Sequence, residues 1–326
     1  MKISVIGAGG WGTALATILS HNSYNVTLWC YEKKTYEEIL AFHENKQYLP
    51  GVTIPLNINV TLDLQKAVEE NSLIILSIPV QFLSSILSKI EKFNYQNKIF
   101  CNTAKGIEVE KIKLPHQLLK LYLKDIKSDS IVTLSGPSHA EEAARHKPTN
   151  VISSSESLKN AKLIQKIFSN SFFHVEISND IIGVELGAAL KNVIAIGVGI
   201  CDGLNYGDNT KAGLLIKGLN EISKIGLKLG AKRNTFYGLS GLGDLMVTCY
   251  SRHSRNRYVG EQLGLGKSLK DIVSSMKMIA EGVASTQAAL KMIEKYKINS
   301  VLIKELYLVL FDRRKPEIAI NNILNS

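Results

Sequence analysis

The sequence predicts an α/β chain in two parts: a doubly wound parallel sheet over residues 1–179, followed by an all-helical domain over residues 180–326. Three observations predict this. A strand-like run meets a helix across a glycine turn at the N-terminus. β-branched or aliphatic runs then alternate with helix-like segments as far as Leu134, and beyond Asp180 the strands give way to long apolar helical patterns. With 326 residues the chain also exceeds the ~250–300 residues at which single cores stop growing.

Lys2 to Ile6 reads as a short strand, Gly7 to Gly12 as the turn, Thr13 to His21 as an apolar helix, and Val26 to Trp29 as a second strand. Further strands are expected at Leu73 to Ile78, Lys98 to Cys101 and Ile131 to Leu134. Ser178-Asn179-Asp180 is a helix-start signal and marks the boundary. The run Ile182 to Ile200 is almost continuously apolar and rich in Gly and Ala, and helical patterns recur at Ala212 to Leu229 and Val283 to Tyr296. Ligands of open α/β sheets bind beyond the carboxyl ends of the strands, which places the chemistry there.

Gly7-Ala8-Gly9-Gly10-Trp11-Gly12 fits G-x-G-x-x-G with glycines at 7, 9 and 12. The first permits the tight turn, the second lets the backbone approach a pyrophosphate, and the third packs helix on strand. The helix N-terminus offers free N–H groups to the anion. An acidic residue, Glu32, follows the second strand, where it can accept hydrogen bonds from ribose hydroxyls. The first part is therefore expected to be a Rossmann-like dinucleotide-binding domain.

Composition narrows the remaining classes. Lys plus Arg exceed Asp plus Glu by 39 to 29, a net charge of +10, which suits a negatively charged partner. The lysines are scattered without an aromatic-interleaved basic stripe, so a phosphorylated small molecule is expected rather than nucleic acid. The uncharged stretch Gln47 to Leu62 is broken by Pro50 and Pro55, and no membrane insertion is expected. No secretory signal is visible at the N-terminus, which points to the cytoplasm. Cys30, Cys101, Cys201 and Cys249 form no C-x-x-C pair, and the histidines fall on no ligand spacing, so no metal is expected.

Several residues invite a chemical reading beside a plain one. Lys191 sits in the most apolar helix, on a stripe of Gly183, Gly187, Ala195 and Gly199; it is either a snorkelling lysine or a working ammonium. Ser251 to Arg257 holds three arginines, two serines and an amide, which makes either a basic helix face or a phosphate clamp. Lys105 follows the strand that ends near Cys101, and Asp244 follows Gly241-Leu242-Gly243. Alone, these two read as a loop lysine and a helix-start carboxylate.

Five blocks, in order and over nearly the whole chain, change that balance. They are Gly7 to Ala16, His43 to Pro50, Ser135 to Ala140, Gly187 to Asn192, and His253-Ser254-Arg255-Asn256. Together they resemble bacterial-type NAD(P)-dependent glycerol-3-phosphate dehydrogenase. The resemblance implies a Rossmann-like N-domain, a helical C-domain and a homodimer. The activity implied is reversible hydride transfer between NAD(P)H and dihydroxyacetone phosphate to give sn-glycerol 3-phosphate, supplying glycerophospholipid synthesis.

The resemblance also assigns residues. Lys191 becomes the proton donor in reduction and acceptor in oxidation, with Asp244 orienting it. Lys105, Gly136, Ser138, Asn192, Ser254, Arg255 and Asn256 join Lys191 and Asp244 as substrate contacts, Arg255 as the phosphate clamp. Gly7, Gly9, Gly10, Trp11, Gly12, Tyr31, Glu32, Tyr48, Lys105, Ala140, Arg255, Ile279 and Glu281 are implied cofactor contacts. Pro137 is expected in the first turn of a helix. Two departures stand out. Gly10 replaces the usual serine, and Tyr31-Glu32 replaces the basic residues that many relatives offer a 2′-phosphate. Glu32 therefore favours NAD(H), with NADP(H) the alternative and Lys33 and Lys34 able to offset the repulsion. A hydroxyacid dehydrogenase of related architecture and a non-catalytic dinucleotide or nucleic-acid binder are the competing readings. Intact Lys105, Lys191, Asp244 and Arg255 argue against the non-catalytic one.

Overall fold

The structure is a computed structural model that describes residues 1–251, 254–276 and 280–326. It divides into two compact units, Met1–Ala104 with Pro115–Ile181, and Lys105–Leu114 with Ile182–Ser326.

The first unit carries ten strands among the described residues: β1 (Lys2–Ile6), β2 (Asn25–Trp29), β3 (Glu44–Asn45), β4 (Leu49–Thr53), β5 (Ile58–Thr61), β6 (Leu73–Leu76), β7 (Ile99–Asn102), β8 (Ile131–Ser135), β9 (Thr149–Ser154) and β10 (Phe173–Ser178). Its helices are α1 (Gly10–His21), α2 (Lys33–Phe42), α3 (Leu64–Glu69), α4 (Val80–Ile90), α5 (Pro115–Tyr122), α6 (Ala140–Ala143) and α7 (Leu158–Phe168). Eight strands form one sheet in the order β10-β9-β8-β7-β6-β1-β2-β5, and β3 pairs with β4 in a separate hairpin. Ile3, Val5, Leu28, Leu73 and Ile75 anchor its core, with Leu15, Ile18 and Leu19 of α1 packed on them.

This is the doubly wound sheet the sequence predicts, with one difference at its edge. β1, β2, β5, β6, β7 and β8 run parallel, but β9 pairs antiparallel with β8, and β10 follows β9. The connection from β8 to β9 contains only the four-residue α6, too short to return the chain along the sheet for a parallel crossover. β9 and β10 escaped the sequence reading because Thr149–Ser154 is largely polar and Phe173–Ser178 alternates like an edge strand. Pro137 lies in the bend before α6, which begins at Ala140 behind the cap residue His139, so it is not in a first helical turn. α1 likewise begins at Gly10, three residues earlier than the sequence pattern suggests.

The second unit is helical: α8 (Ile181–Gly203), α9 (Asp208–Lys228), α10 (Arg233–Phe236), α11 (Asp244–Tyr250), α12 (Arg255–Gly264), α13 (Leu269–Ser275), α14 (Glu281–Lys295), α15 (Val301–Phe311) and α16 (Pro316–Asn325). α8 is long and apolar enough to cross a membrane by composition, yet 94% of its most apolar window is buried inside the protein. It is the core helix, with Leu190, Val193, Ile194 and Val198 among the buried cluster. α12 packs directly on it through glycines. A Cβ on Gly199 would stand 2.0 Å from the Arg257 carbonyl oxygen, and one on Gly260 would stand 1.9 Å from that of Ile196. Gly203 and Gly264 repeat the arrangement one turn on, against the carbonyls of Glu261 and Ile200. The two backbones touch, and no side chain separates them.

Candidate active site

On the first unit, the turn after β1 is shaped by what cannot fit. Gly7 has φ +116°, and a Cβ there would meet the Ser77 carbonyl oxygen at 2.4 Å; one on Gly12 would lie 1.9 Å from the oxygen of Gly7. Gly9 differs: it caps α1 in extended conformation, and a Cβ on it would meet nothing within 4 Å. The first turn of α1 contains no acidic residue, and its leading N–H groups have no intrahelical acceptor. An open, positively polarised helix start fits a pyrophosphate.

The flanking residues are held in place. Gly10 has a physical explanation, since a Cβ there would approach the Tyr48 carbonyl oxygen at 2.7 Å and the Ala140 Cβ at 3.7 Å. This brings Gly10, Tyr48 and Ala140 together. Glu32 follows β2 and accepts hydrogen bonds from the Tyr48 hydroxyl (3.0 Å) and Thr35 Oγ1 (3.0 Å), so its carboxylate is fixed before any ligand arrives. Tyr31 is largely exposed, with its ring edge-on to Trp29. Trp11 is half-buried, packed on the cluster that holds Leu49, Val52 and Ala144 and tilted toward Phe173 at 6.4 Å between ring centroids. Gly136, at φ +134°, follows β8, and the Ser138 hydroxyl donates to its carbonyl at 2.9 Å.

On the second unit, Lys191 is 4% exposed in the middle of α8. Its Nζ donates to Asp244 Oδ1 at 2.5 Å and to Thr248 Oγ1 at 2.6 Å. The other carboxylate oxygen, Asp244 Oδ2, accepts from Lys105 Nζ at 2.8 Å. Thr248 in turn donates to the Asp244 carbonyl at 2.7 Å. One buried carboxylate thus holds two ammonium groups, one on each oxygen. Burial lowers the pKa of Lys191 to about 8; Asp244 opposes the fall and Lys105 adds to it. The snorkelling alternative is excluded by these contacts, because Nζ ends on a carboxylate and a hydroxyl inside the protein.

The approach to Asp244 is a π-helical turn, Leu239–Gly243. It fits because its glycines touch backbone: a Cβ on Gly241 would stand 2.1 Å from the Phe236 oxygen, and one on Gly187 of α8 2.8 Å from that of Ser240. Close packing of α8 on this turn brings Asp244 within reach of Lys191.

Asn192, the next residue on α8, accepts from Asn256 Nδ2 at 2.9 Å, and Asn256 Oδ1 accepts from the Gly282 amide at 2.9 Å. This ties the starts of α12 and α14 to α8. Ser254 caps α12, its hydroxyl accepting from the Arg257 amide at 3.2 Å, and Arg255 is the first residue of that helix, with its side chain exposed. Burial pushes the carboxyl of Glu281, the first residue of α14, up to about 7, against the opposing pull of Arg255, Lys105 and Lys191. Arg252, His253 and Ile279 lie outside the described residues. The sequence reading missed Thr248; a threonine one turn after Asp244 carries no signal until α11 places it against Lys191.

A glycine-turn cradle for a dinucleotide and a buried lysine with its pKa lowered define a nicotinamide-dependent dehydrogenase. Residues 2–161 match the family description NAD-dependent glycerol-3-phosphate dehydrogenase N-terminus, and residues 180–321 match the C-terminus of the same family. The chain belongs to the NAD-dependent glycerol-3-phosphate dehydrogenase family. It is 43% identical over 324 residues to glycerol-3-phosphate dehydrogenase [NAD(P)+] of Fusobacterium nucleatum, covering 99% of this chain and 96% of that one. It is 42% identical over 323 residues to the Lysinibacillus sphaericus enzyme of the same name, again covering 99% and 96%. The crystal structure of glycerol-3-phosphate dehydrogenase from Coxiella burnetii superposes with a TM-score of 0.95 at 31% identity, covering 100% of this chain and 99% of that one.

Proposed function

We propose that the chain interconverts dihydroxyacetone phosphate and sn-glycerol 3-phosphate, and the observation that carries the chemistry is Lys191 buried against Asp244. The cofactor is NAD(H) or NADP(H), and when bound its nicotinamide supplies or accepts the hydride at C2. Gly7, Gly9, Gly10 and Gly12 would hold its pyrophosphate, and Glu32 would take the ribose hydroxyls. In reduction negative charge grows on the ketone oxygen, and protonated Lys191 stabilises it and gives up a proton. In oxidation the neutral amine takes that proton back. Asp244 keeps the ammonium charged despite burial, and Lys105 moderates this from the other oxygen. Asn192 and Asn256 orient the substrate's oxygen functions. The start of α12, which carries Arg255, receives the phosphate. In this reading the enzyme works in the cytoplasm as a homodimer, on a small-molecule substrate and without nucleic acid, and feeds glycerophospholipid synthesis, as the family resemblance implies.

The test of the substrate is Arg255→Ala. Arg255 is exposed, so the loss is that of a charged hydrogen bond, about 1.5–3 kcal/mol, or roughly ten- to 150-fold in kcat/KM for dihydroxyacetone phosphate. Unphosphorylated dihydroxyacetone should be nearly unaffected. An equal loss on both ketones would remove Arg255 as the phosphate clamp, and a wild-type preference for keto acids would overturn the substrate.

The Glu32 carboxylate predicts a preference for NADH over NADPH. Glu32→Arg should move the ratio of kcat/KM values toward NADPH by about ten- to a hundredfold, since a repulsion becomes a charged hydrogen bond. Glu32→Gln, which keeps an acceptor for Tyr48, should give a smaller shift in the same direction. A wild-type enzyme that favours NADPH, or a ratio unmoved in Glu32→Arg, would show that cofactor choice lies elsewhere.

A further inference from the structure

On the first unit, a cavity of about 580 Å³ opens where α1 ends, within the ~300–1,000 Å³ range that takes small ligands. Exposed Arg145, His21 and His146 line its open side, Val52 and Pro55 give it an apolar side, and none of the described lining residues is acidic. The histidine rings lie 4.9 Å apart between centroids. His146 stacks on Phe172 at 4.1 Å and His21 meets the same ring edge-on at 5.2 Å. His146 also holds a left-handed backbone, φ +58°, which non-glycine residues seldom adopt. The Arg145 guanidinium is anchored, Nη1 to the Glu141 carbonyl (3.2 Å) and Nη2 to that of Pro50 (3.0 Å), which leaves further N–H donors. Burial and the neighbouring His21 hold the pKa of His146 down, and an anion bound beside it would favour its protonated form. A guanidinium beside two imidazoles disfavours a metal ion.

The cavity is built from the far ends of the elements that make the dinucleotide cradle. α1 runs from Gly10 to His21, about 18 Å at 1.5 Å per residue. The β3–β4 hairpin sets the Tyr48 carbonyl against Gly10 and continues into Val52 at the cavity. α6 starts at Ala140, beside Gly10, and leads into Arg145 and His146. A Cβ on Gly10 would stand 2.7 Å from the Tyr48 carbonyl oxygen, so no side chain can lie between them and a displacement of the hairpin moves that carbonyl over the first turn of α1.

We infer that this cavity is a regulatory site for a small organic anion, a phosphate or carboxylate on a short apolar body, whose binding changes dinucleotide affinity at the opposite ends of α1, the hairpin and α6. The inference rests on the dinucleotide reading of the cradle. By linkage, the factor by which the anion changes NADH affinity equals the factor by which NADH changes anion affinity.

Phenyl phosphate is a suitable probe. NADH and sn-glycerol 3-phosphate, both reduced and therefore without turnover, fill the proposed dinucleotide and substrate sites while phenyl phosphate is titrated by calorimetry. NADH affinity is then measured by fluorescence with and without the probe. Wild type should bind phenyl phosphate in the filled complex, with an NADH Kd moved by about fivefold or more, the lower end of ordinary couplings. Arg145→Gln and His146→Asn should weaken the probe about tenfold, the worth of one charged hydrogen bond, and abolish the shift while leaving NADH binding alone unchanged. Asparagine tolerates the left-handed backbone, so the second variant stays informative if the first disturbs Pro50. A shift that persists in both variants, or no binding to the filled complex, overturns the proposal. Loss of NADH binding by the wild type would instead defeat the dinucleotide reading.

Discussion

Lys191→Ala is expected to lower kcat by roughly 10²–10⁴-fold, the usual contribution of a positioned acid–base group, with NADH affinity little changed. The structure strengthens the chemical case over the sequence case. Nζ is buried, fixed by Asp244 and Thr248, and its pKa is lowered to about 8, close to the value at which one group can both give and take a proton near neutrality. The sign of the pH dependence follows. Ketone reduction needs the ammonium and should decline as pH rises through about 8, and alcohol oxidation needs the amine and should rise over the same interval. Lys191→Ala should flatten both limbs. Near-normal turnover in the variant, or limbs that survive it, would transfer the proton chemistry to another group. Lys105, the second ammonium on Asp244, is the first to test in that event.

Asp244→Asn should be almost as damaging, on the order of a hundredfold in kcat for reduction at neutral pH, because the proton donor loses its charge. Asp244 is what opposes the desolvation of Lys191, whereas Lys105 pushes the same way as burial. Without the carboxylate, two ammonium groups converge on a neutral amide, and the Lys191 pKa falls further. The reduction limb should therefore move to lower pH, and raising the proton concentration should recover part of the activity. A purely structural role would reduce kcat without moving the limb. Thr248→Val, which removes the hydrogen bonds to Lys191 and to the Asp244 carbonyl but no charge, makes the matching control. An unshifted pH profile in Asp244→Asn would contradict the electrostatic account.

Much of the fold was legible because it is written in local pattern. The Gly7 to Gly12 turn sits between a strand and a helix, and each glycine meets the backbone or open space that its position demands. Lys191 stood out as a charge in an apolar helix, and it is buried there against Asp244. Polar β9 and alternating β10 lacked the aliphatic signature, and their reversed direction depends on the length of the β8–β9 connection rather than on any residue. Nor could spacing show that Lys105, 139 positions from Asp244, shares its carboxylate. Residues Lys105–Leu114 belong with the helical unit although they lie within the sheet-forming part of the sequence, and only long-range packing reveals it. Thr248 was invisible for the same reason.

The contact of α8 with α12 has a consequence for substrate size. Lys191 and Asn192 ride on one helix, Ser254, Arg255 and Asn256 on the start of the other, and the pair is locked by carbonyls seated on Gly199, Gly203, Gly260 and Gly264. On the proposed roles of Lys191 and Arg255, the interval from proton donor to phosphate clamp is therefore measured by the backbone, as on a rule with engraved marks. Reshaping side chains can change what fits around a three-carbon phosphate, but to accept a longer one the marks themselves must move. A single methyl group on any of those glycines would push the two helices apart and lengthen the scale.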